Sequence, residues 1–407
     1  MVVSMTVRQA SNNDSDAPIG FFRLALLAVG TFTLGMDGFV LNGLLPEIAH
    51  DLRVPVAVAG QLVTIFSVVY AIGSPVIAAV TGRWDRKVVL AGGMIVFLAG
   101  MIGQAVGSRY GIVAGGRVLA AIGAAAFQSN AYAVAGTLAG PERRGRTLAT
   151  VAAGTTISTV VGVPFGVLVG QQWGWRAAMW IIAGLALLSA VVVPLLPSVR
   201  LPLTSLGQRL RVMIRPQVLA VLVSTILVLL PGFIALSYLP VILAPVVTGG
   251  LLVAALVVRG AGQVIGNQLT GRLVDAHGPR PVLIIGAAGS ALSLVALIPG
   301  RESVWSALAV VLLVGVFAGT VYLPNQARMF VAAPDVPTVA VGLLGSSLYA
   351  SAAVGSAIGG LALAGSGVTL MIILGFGLQI ISLLVVVRRD PSAAPSDATG
   401  HPVSVDG

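Results

Sequence analysis

Cysteine is absent from the 407 residues, so neither a disulfide nor a thiolate nucleophile or ligand is available to this chain. Charge is nearly as scarce: Asp, Glu, Lys and Arg make up 9%, against about 25% in a soluble globular protein. Aromatic residues are 6%, and the three histidines, His50, His277 and His401, fall in loops or a tail. A membrane-embedded enzyme needs acids, nucleophiles or metal ligands, yet neither H-E-x-x-H nor G-x-S-x-G occurs. The stretch "GAGQVIG" at 260–266 is no nucleotide fingerprint, because no strand precedes it and its third glycine comes one place late. No Walker motif is found, and no cofactor or metal is called for. A receptor or scaffold is the other alternative, and it lacks a soluble domain of adequate size.

What is abundant is apolar surface, with 57% of residues hydrophobic. Runs of about 20 residues recur, each long enough to cross a hydrocarbon layer of about 30 Å. In lipid every backbone N–H and C=O must find a partner inside the protein, and runs that are continuous rather than alternating meet this need as helices. The expectation is an all-α polytopic membrane protein of about twelve spans, beginning near Phe22, Val58, Val88, Gly111, Thr147, Ala177, Val218, Leu251, Val282, Trp305, Val339 and Val368. The first run is read as a retained span, since no small-residue cleavage site follows it.

The net charge of +10 raises the question of a nucleic-acid partner. Distribution argues against one. Arg53, Arg109, Arg176 and Arg301 fall in one set of loops and Arg117 and Arg259 inside spans, while all other basic residues lie on the opposite side. That asymmetry is the positive-inside rule, and it predicts both tails in the cytoplasm of a cell-membrane protein.

The basic segment "PSVRLPLTSLGQRLRVMIRP" separates two groups of six spans. The expected layout is a cytoplasmic tail over 1–21, a six-helix bundle over 22–196, a linker over 197–216, a second bundle over 217–387 and a second tail over 388–407. One loop recurs across this boundary. "AAVTGRWDRKVVL" (78–90) joins spans two and three, and "GRLVDAHGPRPVL" (271–283) joins spans eight and nine.

These loops resemble the cytoplasmic signature G-x-L-A-D-R-x-G-R-R-x-x-L of the major facilitator superfamily. The second copy fits at Gly271, Leu273, Asp275, Gly278, Arg280 and Leu283. The first keeps Arg83, Arg86, Lys87 and Leu90, but has Gly82 in place of the aspartate and Asp85 in place of the glycine. "GRVLAAIGAAA" in span four is similar to the family's R-x-x-Q-G-x-G-A-A at Arg117, Gly123, Ala124 and Ala125. "GTTISTVVGVPFGVLVGQQWGWR" (154–176) in span five looks like the glycine-proline motif of drug:proton antiporters. With "PERRGR" at 141–146, the chain resembles chloramphenicol-type and sugar-type efflux permeases. The resemblance implies the major facilitator fold, two pseudo-symmetric six-helix halves, and export of a drug, antibiotic or sugar-like compound, with cytoplasmic gate loops at Arg83, Asp85, Arg86, Gly271, Asp275, Gly278 and Arg280.

Read physically, Gly154, Ser158, Gly162, Gly166 and Gly170 form a small-residue stripe along span five, which lets a neighbouring backbone approach closely. Pro164 removes a hydrogen bond and bends the helix. Gly355, Gly359 and Gly360 mark the corresponding place in span eleven, and the two are expected to act as a pivot.

Asp37 is the only acid placed deep in a span. A carboxylate at bilayer depth costs about 2.5–3.5 kcal/mol, which makes it a proton- or substrate-coupling candidate. Arg117 either pairs with it or caps a polar network of the first half. Arg259, Gln263 and Asn267 fall on one face of span eight. There Arg259 either snorkels outward or presents its guanidinium to an acidic substrate group. Gln128, Asn130, Tyr238, Tyr322, Asn325 and Tyr349 are further candidates for a central cavity, and each serves equally well as an interhelical hydrogen-bond partner. The expected function is proton-coupled secondary transport of a small amphiphilic compound by a monomer in the lipid bilayer.

Overall fold

The structure, a computed structural model, describes residues 21–138, 144–199 and 206–388. The segments 1–20 and 389–407, and parts of the expected linker and of "PERRGR", lie outside these residues.

Continuous apolar sequence gives continuous helix. The first six passes are α1 (Phe21–Leu52), α2 (Val56–Val80), α3 (Arg86–Val106), α4 (Tyr110–Leu138), a composite fifth, and α7 (Trp175–Val192). The fifth consists of α5 (Arg144–Ile157), a π-helical turn at Ser158–Gly162 and α6 (Val163–Trp173). A short helix α8 (Leu206–Met213) leads to α9 (Pro216–Ser237), α10 (Leu239–Leu243), α11 (Gly250–His277), α12 (Pro279–Gly300), α13 (Val304–Ala332) and α14 (Pro337–Arg388). Among the described residues, eleven helical stretches are long and apolar enough to cross a membrane. The last is two passes rather than one, because Gly367 turns the chain at φ 79°, a conformation glycine adopts without a Cβ clash. The expected twelve spans are therefore present. With an even number of passes, Phe21 and Arg388 lie on one side, the tail side; the other is the far side.

The π turn has a local cause. Pro164 has no N–H, so the α-helical acceptor at Val160 loses its donor. The chain responds with a wider turn in which Val163 N–H donates to Ser158 O. Elsewhere glycines let helices touch. A Cβ at Gly100 would meet backbone atoms of Ala120 and Gly116, bringing α3 onto α4, and one at Gly315 would meet the Arg259 carbonyl, bringing α11 onto α13.

Apolar side chains at Ile72, Val80, Ile95, Leu292 and Leu361 point outward. Around a helix bundle such a belt is the surface that lipid covers. Among the described residues the interior holds one large apolar cluster that runs from α1 through α14, a smaller one at the tail side around Val212, Val218, Met329 and Leu344, and another around Val228, Phe233, Leu283 and Val321.

Candidate functional site

Asp37 lies near the middle of α1 and is fully buried, as is Arg117 of α4. Arg117 Nη1 donates to Asp37 Oδ1 at 2.7 Å, and its Nε donates to the Leu62 carbonyl at 3.3 Å. The guanidinium also stands 4.2 Å from the centre of the Phe66 ring, an attraction between a cation and the electron-rich face of an aromatic. The sequence left two readings of Arg117, and the geometry takes the pairing one. Two atoms of the pair stay unsatisfied, Asp37 Oδ2 and Arg117 Nη2. The aromatic wall continues across the interface: Phe66 and Tyr70 of α2 face Tyr349 of α14, with the two tyrosine rings 3.8 Å apart.

Arg259 does not snorkel. It is 8% exposed, its Nε has no hydrogen-bond partner, and no ion pair with it is seen among the described residues. Gln263 and Asn267 lie on the same helix, both half-buried, and Gln263 Oε1 is likewise unpartnered.

The remaining candidates divide. Asn130 is taken up on the tail side, where it accepts from Arg86 Nη1 at 3.0 Å and donates to the Ala126 carbonyl. Asn325 serves Arg328 at 3.1 Å and the Val321 carbonyl. Tyr238 is fully buried on the far side and donates to the Ser356 carbonyl at 3.1 Å. Gln128 and Tyr322 are half-buried. Sequence reading passed over Asn42, Phe66, Tyr70, Thr64 and Ser356. Asn42 carries the one available signal, a polar residue five positions beyond Asp37 in the same apolar run.

The glycine stripe of the fifth pass faces α1. A Cβ at Gly154 would strike the Ala28 carbonyl and Thr31 hydroxyl, one at Gly166 would lie 2.8 Å from Met36 Cε, and one at Gly170 would lie 2.8 Å from Leu44 Cδ1. Gly162 and Pro164 bracket the end of the π turn. The opposite side of this turn meets α11, where a Cβ at Gly260 would sit 2.9 Å from Val160 Cα. The π turn thus lies between α1, which carries Asp37, and α11, which carries Arg259. Gly355 and Gly359 of α14 make the matching close approach to α9 and Tyr238.

The two tail-side loops differ. Asp85 caps α3 by accepting from Lys87 N–H at 2.9 Å, and it also accepts from the Ser198 hydroxyl and from Val199 N–H. The Ser198 bond, ahead of the backbone bonds, holds its carboxyl below the usual range against the opposing effect of partial burial. Arg86 N–H donates to the Val199 carbonyl, so the chain leaving α7 is docked on this loop. Arg86 itself is buried and Arg83 exposed. In the second loop Gly278 turns at φ 79°, Asp275 is exposed, Gly271 has open space, and Arg280 donates to the Val387 carbonyl at 2.9 Å.

This geometry can be set beside known proteins. The family model described as Major Facilitator Superfamily matches residues 27–257 and 221–405. A chloramphenicol resistance protein of Streptomyces lividans is 35% identical over 281 residues, 66% of this chain and 70% of its own length. An uncharacterized MFS-type transporter of Bacillus subtilis, YbcL, is 28% identical over 387 residues, 92% of this chain and 98% of its own. The crystal structure of a D-xylose-proton symporter superposes with a TM-score of 0.75 at 16% identity, covering 91% of this chain and 98% of that one, a likeness of fold. The protein is a multi-pass membrane transporter and not an enzyme. With its twelve passes, its repeated tail-side loop and a family match that covers nearly the whole length, the chain belongs to the major facilitator superfamily.

Proposed function

We propose that this transporter exports a small amphiphilic compound in exchange for protons, by alternating access between the two six-helix groups, 22–196 and 217–387. The tail side is the cytoplasm, on the strength of the arginine distribution. The observation that carries the reading is the Asp37–Arg117 pair: fully buried, at mid-depth in α1, beside the interface formed by Phe66, Tyr70 and Tyr349. A buried ion pair is a poor device for stability alone. As a coupling device it works by competition. A proton arriving on Asp37 displaces Arg117, whose free Nη2 then seeks another acceptor, and the α1–α4 contact is remade. The likeness to a chloramphenicol resistance protein supports export.

Asp37→Asn keeps the size and polarity of the side chain but takes no proton in this range. In proteoliposomes with an imposed pH gradient, the variant is expected to lose gradient-driven export of each compound that the wild type exports from a panel of neutral and anionic aryl compounds, while downhill exchange persists. Gradient-driven export at the wild-type rate overturns the coupling role.

A further inference from the structure

Arg259 has no place in the proton step, and its surroundings are unusual. It lines a cavity between the two groups of six passes, together with Asn42 and Phe39 of α1, Thr159 of the π turn, and Leu239 of α10. The cavity measures about 10 Å³, about enough for one water. Two polar groups from opposite sides of the interface are left without partners at its wall: the Arg259 Nε–H and the Asn42 side-chain carbonyl. A buried guanidinium with no counter-charge among the described residues is costly, and a ligand that supplies the charge offsets that cost. An arginine, with its planar fork of donors, matches a carboxylate or another oxyanion in two-point contact.

Building on the transporter reading, we propose that the transported compound carries an anionic group, and that Arg259 is the residue that binds it in the central cavity. Asn42 accepts a hydrogen bond from an N–H or O–H elsewhere on the same molecule. The cavity is closed to the size of a single water in this conformation, and its walls come from both groups of helices. Separation of the two groups opens it, and return closes it around the bound anion. Thr159 and Val163 from the π-turn region also line it, so rearrangement of that turn changes the shape of the site directly.

The test is equilibrium binding by calorimetry on the purified full chain in lipid nanodiscs, without any pH gradient. The probes are aryl carboxylates of increasing ring number, each paired with its neutral amide of nearly the same shape. The wild type is expected to bind at least one acid about ten- to a hundred-fold more tightly than its amide, the value of a charge-assisted hydrogen bond. Arg259→Gln is expected to abolish that preference and leave amide binding unchanged; Arg259→Lys is expected to retain part of it. Equal binding of every acid and its amide by the wild type overturns the proposal, as does an undiminished preference in Arg259→Gln. If Arg259→Gln does not fold, Arg259→Lys takes its place, and an undiminished acid preference in that variant overturns the assignment to Arg259. Because no gradient is used, the acid–amide comparison on the wild type does not depend on proton coupling, so failure of proton coupling and failure of anion recognition are read separately.

Discussion

A single charge inside an apolar run marks Asp37 in the sequence, while its partner, Arg117, is settled only by the structure. Removing one member of a buried ion pair leaves an uncompensated charge, at a cost of about 3–5 kcal/mol. Asp37→Asn should therefore lower the thermal midpoint of the purified protein as well as uncouple it. The double variant Asp37→Asn/Arg117→Gln should recover most of that stability, because neither side chain is then charged, and still fail to couple. A double variant as unstable as the single one would show that the pair is not an isolated electrostatic unit. Residues of this kind were legible because burying a charge is expensive and so is rarely done without purpose. Uncharged polar residues give no such signal. Asn130 and Asn42 look alike in the sequence, yet one is spent on Arg86, 44 positions away, and the side-chain carbonyl of the other is unpartnered at the cavity wall. One residue is a rotation of about 100° on a helix, and no local pattern says which rotation faces the partner.

At the level of the helix, the fifth pass is where sequence and structure agree on position and differ in kind. The stripe of small residues and the proline were visible as a bend; the structure makes that bend a π turn with α1 on one side and α11 on the other. The stripe is not uniform. At Gly154 a new methyl meets the backbone carbonyl of Ala28, which cannot move alone, and crowds Thr31, whose hydroxyl is bonded to the Val151 carbonyl at 2.7 Å. At Gly162 it meets the tip of the Phe32 ring at 3.0 Å and Met36 Cγ at 3.5 Å, both on side chains able to turn aside. Gly154→Ala should thus destabilise by about 1–3 kcal/mol, the usual cost of overpacking, and Gly162→Ala by less. Thermal denaturation of the two purified variants measures the order, and the reverse order would mean that α1 and α5 part more readily than their backbone contact implies. Gly162→Leu, with a whole side chain to place against Phe32 and Met36, should stall transport.

For the molecule as a whole, the twelve-pass plan was legible from hydropathy, charge asymmetry and one repeated loop, because lipid forces backbone hydrogen bonds to close locally and so makes each pass readable alone. How the two groups of passes meet was not, since those contacts join residues hundreds of positions apart. On the far side they meet closely. Thr64 Oγ1 and Ser356 Oγ lie 2.8 Å apart, Tyr238 of α9's C-terminal end is wedged against Gly60 of α2, and Gly360 of α14 abuts Gln61. Alternating access requires these contacts to break once per cycle. The absence of native cysteine allows a direct check. Thr64→Cys/Ser356→Cys places two thiols where two hydroxyls already touch, at a separation suited to a disulfide. An added oxidant that takes up the two hydrogens should join the two sulfurs within one chain and stop transport in proteoliposomes, and a reducing agent should restore it, while each single variant transports under both conditions. If the cross-link forms in full and transport continues, the far side does not open in the cycle, and the two groups do not move as rocking bodies.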